Sequence, residues 1–219
     1  MLEKITEHLI DKLEATNYFQ KLFPFVELID RDGKSSPEFY DKKGQYQKVS
    51  NFDHYNGLCY IRQTASDTVS KLEENSRACK ILLQFVYPLR VVACVPKEKT
   101  GNDDAFTDDR VAKDLIRILT SEGGLIQQTL NASYISFIPT QVTKSKTQVI
   151  ADEYSGYDIK INLKYSYIAI DLNCVVNIYD SCLEDPCETY DAPINELGFL
   201  LREDGGYVLL EDGGKIKIS

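Results

Sequence analysis

Apolar and polar residues alternate most regularly between Tyr157 and Tyr167. Tyr157, Ile159, Ile161, Leu163, Tyr165 and Tyr167 share one parity, and Asp158, Lys160, Asn162, Lys164 and Ser166 fill the other. A period of two predicts a β-strand with one face on a core and the other in polar surroundings. From Ile168 the parity shifts to Ile168, Ile170, Leu172 and Cys174. Either a bulge near Tyr167 and Ile168 or burial of both faces accounts for the shift. The run from Tyr157 to Val176 far exceeds the usual strand of about 5 or 6 residues, and it predicts a long central strand. Ala78 to Val95 predicts a second one. Ile81, Leu83, Phe85, Tyr87, Leu89, Val91 and Ala93 occupy one parity, while Leu82, Val86 and Val92 populate the other, so both faces are covered. Pro88 cannot donate to a ladder and marks an edge position or a bend.

Spacings of three and four predict two helices. Leu2, Ile5, Leu9 and Leu13 form the apolar stripe of the first, with Asn17 as its stop and Pro24 barring continuation. Val111, Leu115, Ile118 and Leu119 form the stripe of the second. Thr107 or Asp108 caps it, Asp108 and Asp109 favour its start, and Gly123-Gly124 ends it. A short helical piece is expected from Leu125 to Leu130. Further strands are expected at Phe25–Ile29, Leu58–Gln63 and Tyr134–Ile138, the last stopped by Pro139. A polar connector follows Gln63 as far as Asn75. Gln141 to Ile150 reads as an exposed strand or hairpin arm.

Asp30 to Asn56 reads as a long loop or loose hairpin. Its aromatics, Phe39, Tyr40, Tyr46, Phe52 and Tyr55, argue against disorder, and they suit either an interaction loop or a self-packed one. After Val176 the chain turns acidic and turn-rich. Glu203-Asp204-Gly205-Gly206 then recurs as Glu211-Asp212-Gly213-Gly214, with apolar flanks that include Tyr207, Val208, Leu209 and Leu210. That pattern predicts a meander of very short strands, lying on its own domain or on a neighbouring subunit. The domains expected are therefore 1–178, an α+β unit, and 179–219, an acidic linker and β arm. The fold class is α+β: a mixed or mostly antiparallel sheet with long strands, an N-terminal helix, one helix packed on the sheet, and the C-terminal β arm.

Composition narrows the chemistry. In 219 residues there are 34 Asp and Glu against 25 Lys and Arg, a formal charge of −9. Such a chain does not grip nucleic acid over its whole surface, although like charge suits a passage through which DNA slides. The six cysteines, Cys59, Cys79, Cys94, Cys174, Cys182 and Cys187, contain no C-x-x-C pair, and the histidines are His8 and His54 only. Scattered reduced thiols in a cytosolic setting fit this spacing better than a zinc site at Cys182 and Cys187. The opening helix is too charged for a signal peptide, and no apolar run approaches the ~20 residues of a membrane span. Neither a phosphate-binding glycine loop nor a G-x-S-x-G elbow occurs. His54 with Cys59 is weaker as a nucleophile pair than as an unrelated histidine and thiol. Asp103-Asp104 and Asp108-Asp109 are explained by capping and solvation better than by a cation. No catalytic, cofactor-binding or metal-binding residue is assigned, no cofactor is expected, and the chain is read as not an enzyme.

The order of elements resembles that of tail-terminator proteins of tailed bacteriophages, also called tail-completion or head–tail joining proteins. The residues carrying the likeness are LEKITEHLIDKLE (2–14), ILLQFVYPLRVVACV (81–95), DDRVAKDLIRILTSEGG (108–124) and DIKINLKYSYIAIDL (158–172). Neck-ring proteins of short-tailed phages are eligible too. The resemblance implies a structural virion protein made in the bacterial host cytoplasm. It would form a homo-oligomeric ring, in such families usually a hexamer, at the head–tail junction. Its partners would be copies of itself, the tail tube and the connector or portal-associated proteins, with DNA passing through the lumen unbound and no membrane involved. Interface residues expected are Phe39, Tyr40, Tyr46, Phe52 and Tyr55 in the first loop and Tyr207, Val208, Leu209 and Leu210 in the arm. The competing classes are a non-enzymatic adaptor or binding module of a bacterial host, and a small-ligand enzyme.

Overall fold

A computed structural model describes residues 1–40, 45–49, 55–75, 80–101, 106–121 and 124–179, with the side chains of 73–75 and 80 excepted. Phe52, His54, Cys79, the Asp103-Asp104 pair, Cys182, Cys187 and the arm with Tyr207, Val208, Leu209 and Leu210 lie outside these residues. Met1–Asp180 is one compact unit.

The unit is α+β. Helix α1 (Leu2–Glu14) precedes strands β1 (Lys21–Arg31), β2 (Lys34–Tyr40), β3 (Tyr46–Lys48), β4 (Leu58–Gln63), β5 (Thr68–Asn75) and β6 (Lys80–Pro96). A 3-10 turn, Lys97–Thr100, leads to α2 (Thr107–Thr120), α3 (Gly124–Thr129), β7 (Tyr134–Thr143), α4 (Lys146–Glu153) and β8 (Tyr165–Tyr179). The strands make an eight-stranded sheet in the order β3-β2-β1-β4-β6-β8-β7, with β5 also on β6. Among the described residues only β1 and β4 run parallel; the other pairings are antiparallel.

Period and parity divide the sheet into two cores. Cys59, Ile61, Leu89, Val91, Ala93, Ile168, Ile170 and Leu172 face one side, where Ile5, Leu9 and Leu13 of α1, Val111, Leu115 and Leu119 of α2, and Ile126 of α3 cover them. Leu58, Tyr60, Val92, Cys94, Tyr167 and Ala169 face the other, under Val149 and Ile150 of α4, Tyr154 and Val49. Each fully buried aliphatic side chain contributes about 1.5–3 kcal/mol. Asn17 sits in the left-handed region (φ 59°) just past α1, a conformation Asn tolerates.

The long central strand is shorter at its start than the alternation predicts. β8 begins at Tyr165, and Tyr157–Lys164 forms no ladder. Extended chain outside a ladder has the same two-residue period as a strand. Here Tyr157 and Ile159 rest on the second core, while Ile161 and Leu163 are exposed, Leu163 by 72%. From Tyr165 to Tyr179 the register with β6 is unbroken, so there is no bulge at Tyr167. The parity shift comes from burial on both faces: Tyr167, Ile168, Ala169 and Ile170 are all buried.

One alternative is decided and three other expectations change. The loop from Asp30 is a hairpin: Asp32 (φ 55°) and Gly33 (φ 74°) form a two-residue turn with both central residues in the left-handed region, the geometry that joins twisted strands, and β3 then pairs with β2. The polar connector after Gln63 contains β5. β7 continues through Pro139 to Thr143 with an irregularity between Pro139 and Gln141, which an edge strand accommodates. Within Gln141–Ile150 the chain leaves β7 and enters α4, whose N-cap Ser145 accepts a hydrogen bond from the backbone N–H of Gln148.

Pro88 is neither at an edge nor at the end of its strand. It pairs with Asn173 on β8, and its carbonyl accepts from the Thr64 N–H (3.0 Å). A residue's N and C=O point to the same side of a strand, so the missing donor faces the gap where β4 ends and β5 begins. At α2 the N-cap is Phe106, and no side chain caps the helix. Asp108 instead accepts a hydrogen bond from Ser166 of β8, and Asp109 meets Lys144 beyond β7.

Candidate interaction surface

β1 changes neighbours halfway. Lys21–Val26 pairs with β4, Glu27–Arg31 pairs with β2, and the register slips between Phe23 and Val26, around Pro24. A groove of about 400 Å³ opens beside that irregularity. Its walls are Leu2, Glu3, Thr6 and Glu7 from the first turns of α1, Pro24 to Glu27 from β1, and Glu38, Tyr40 and Tyr46 from the hairpin.

Two expected interface residues meet here. Tyr40 and Tyr46 are cross-strand partners with ring centroids 5.2 Å apart in an edge arrangement. They are 65% and 41% exposed. The Tyr46 hydroxyl donates to Glu27 (2.9 Å), and that bond to a carboxylate raises its phenol above the usual range. Glu38 is buried and takes the Arg31 guanidinium at 2.6 Å. Glu3, Glu7 and Glu27 make no ion pair with any described residue. The groove is thus lined by aromatic rings and by carboxylates, and both attract cations.

The other expected interface residues divide. Phe39 is half-buried and packs on Phe23 (4.7 Å between centroids) under the hairpin. Tyr55 is half-buried against the second core, and its carbonyl accepts from the Gly57 N–H. The contributions of Glu3, Glu7, Phe25 and Glu27 were not anticipated. The only sequence signal for them is Pro24 in an otherwise apolar strand, since α1 and β1 meet through tertiary packing alone.

Beneath the hairpin lies the main polar feature of the interior. Arg62 (β4), Arg90 (β6) and Asp171 (β8) are register neighbours on the second core's face. Glu153, the last residue of α4, is fully buried above them. It accepts from Arg62 Nε and Nη2 (both 2.9 Å), Tyr60 hydroxyl (3.1 Å) and Arg90 Nη1 (3.3 Å). Arg90 is also held by Asp171 (2.5 and 2.9 Å) and Asp152 (3.1 Å). Those bonds, Asp171's first, keep its guanidinium pKa above the ordinary value. Both Glu153 oxygens are taken, so the cluster serves as a clamp. It fastens α4 to the sheet, and α4 carries Val149, Ile150 and Tyr154 into the core shared with the hairpin's Val49.

Cys59 is buried in the first core, and burial pushes its thiol far above the usual range, so it supplies no thiolate near neutral pH. His8 is half-buried on α1 and stacks on Phe137 (6.2 Å). Among the described residues no group of His, Cys, Asp or Glu is arranged to hold a metal, and no helix is long and apolar enough to cross a membrane. No family model matches the chain, and no curated protein matches it.

Proposed function

We propose that this chain is a structural virion protein that forms a ring at the head–tail junction of a tailed phage, joining connector and tail by protein–protein contacts. The observation carrying the reading is the exposed Tyr40–Tyr46 pair in a groove at one end of the sheet. Exposed aromatics on a rigid scaffold are typical of protein contact surfaces. The order of the elements supports it as well: an N-terminal helix, two long paired strands and a helix lying across them are the features that resemble tail terminators. A closed ring needs two different complementary faces on each subunit. The two ends of this sheet differ: β2 and β3 stand at one, the irregular β7 at the other.

Light scattering and electron microscopy of the purified full chain test the proposal, alone and with tail-tube protein. Closed rings, or assembly on adding tube protein, are the expected result. A strictly monomeric species at high concentration that ignores tube protein refutes it. The groove's size also falls within the ~300–1,000 Å³ range of small-ligand sites, which keeps a binding module as the second reading.

A further inference from the structure

The groove has a counterpart on the same molecule. Asp109 of α2 meets Lys144, just past the end of β7, so that side of α2 looks toward the β7 end of the sheet. Lys113 and Arg117 follow Asp109 at four-residue steps, each turning about 40° further round the helix, so they line its outward edge, opposite the buried Val111, Leu115 and Leu119. Both are exposed. Arg117 contacts Asp114 at 3.3 Å with its side chain 78% exposed, a weak tie between solvated groups.

Resting on the ring reading above, we propose that Lys113 and Arg117 of one copy enter the Glu3–Glu7–Tyr40–Tyr46 groove of a second copy of this chain. Four observations support that occupant. The charges are opposite, carboxylates on one side and cations on the other. The ring faces of Tyr40, Tyr46 and Phe25 suit a guanidinium or ammonium. The position is right: α1 packs on β1, whereas α2 packs on β7 and β8. Groove and cationic edge therefore lie toward different ends of one helical layer, as head-to-tail association requires. Finally, net charge does not oppose the contact in this unit. Of the 34 acidic and 25 basic residues, ten and three fall in 180–219, which leaves residues 1–179 nearly neutral.

Charge reversal of the full chain tests the contact, because a swapped pair makes a specific prediction. Glu3→Lys with Glu7→Lys turns the groove positive; Lys113→Glu with Arg117→Glu turns the edge negative. All four positions are exposed, so folding should survive, and circular dichroism and melting check that it does. Each double variant alone should associate at least about tenfold more weakly than wild type in sedimentation velocity. An equimolar mixture should reassemble, since each groove then meets an edge of opposite sign. The chain carrying all four changes should self-associate for the same reason.

Wild-type-like assembly by either double variant would overturn the contact and leave the ring standing on another surface. So would loss by edge reversal alone, or failure of both the mixture and the quadruple variant to assemble. A wild-type chain that is monomeric at every concentration would overturn the contact together with the ring.

Discussion

Glu153→Gln should be the most destabilising near-isosteric change in the second core. The amide keeps the volume and one acceptor, but it removes the charge and sets an NH₂ against guanidinium donors. Arg62, with its side chain only 10% exposed, loses the one carboxylate it contacts among the described residues. Arg90 keeps Asp171 and Asp152. Breaking a buried ion pair from one side costs about 3–5 kcal/mol, because the surviving charge is desolvated without compensation. With a urea slope of about 2 kcal/mol/M, the midpoint should fall by roughly 1.5–2.5 M. Replacing both partners, Arg62→Met with Glu153→Met, removes the orphaned Arg62 charge and should recover part of that loss. The Tyr60 hydroxyl then lacks an acceptor, which retains a cost of about 1–3 kcal/mol. Urea titrations followed by tyrosine fluorescence of wild type, Arg62→Met, Glu153→Met and their double variant give all four corners of the cycle. A loss under about 1 kcal/mol for Glu153→Gln, or a double variant as unstable as the sum of the singles, would refute the clamp.

Three other outcomes are expected. Tyr40→Ala with Tyr46→Ala should weaken self-association about tenfold or more in sedimentation velocity, yet leave the melting temperature nearly unchanged, because both rings are solvent-exposed. Gly57→Ala should destabilise by more than about 1 kcal/mol in denaturant titration. Gly57 has φ +98°, and an added Cβ would stand 2.1 Å from the Tyr18 carbonyl oxygen. His8 has its pKa lowered from 6.5, chiefly by burial and then by Lys12, against a smaller pull from Asp11. The unfolded chain therefore takes up the proton first. The stability that neutral His8 provides is present above about pH 6.5 and is lost as pH falls towards its folded pKa. Melting scans from pH 7 to 5 should show wild type losing more stability than His8→Leu; parallel curves would contradict this.

The helices were the most legible part of the chain. Leu2, Ile5, Leu9 and Leu13, like Val111, Leu115, Ile118 and Leu119, mix spacings of three and four, which share one face on a helix but not on a strand, and Ile5, Leu9, Leu13, Val111, Leu115 and Leu119 are buried. The long strand β6 was equally visible, since runs of that length and apolarity suit few other structures. Two further local signals mark elements outside those expectations. Asp32-Gly33 is a hairpin dipeptide, and Ser145 with Gln148 has the spacing of a capping box that starts α4. Tyr40 and Tyr46 were legible as aromatics in a polar stretch, whereas Phe39 was indistinguishable from them until Phe23 appeared beneath it.

By itself, then, the sequence determined the amphipathic helices, the extended ribbons and the α+β class, because periodicity is a local property of the chain. The tertiary structure alone decided that Tyr157 and Ile159 rest on a core instead of pairing in a ladder, and where the missing donor of Pro88 falls. It also decided which carboxylates surround Tyr46 and which arginines reach Glu153. These contacts join residues tens to a hundred positions apart, and their formation depends on the packing of the whole sheet, which no local pattern encodes.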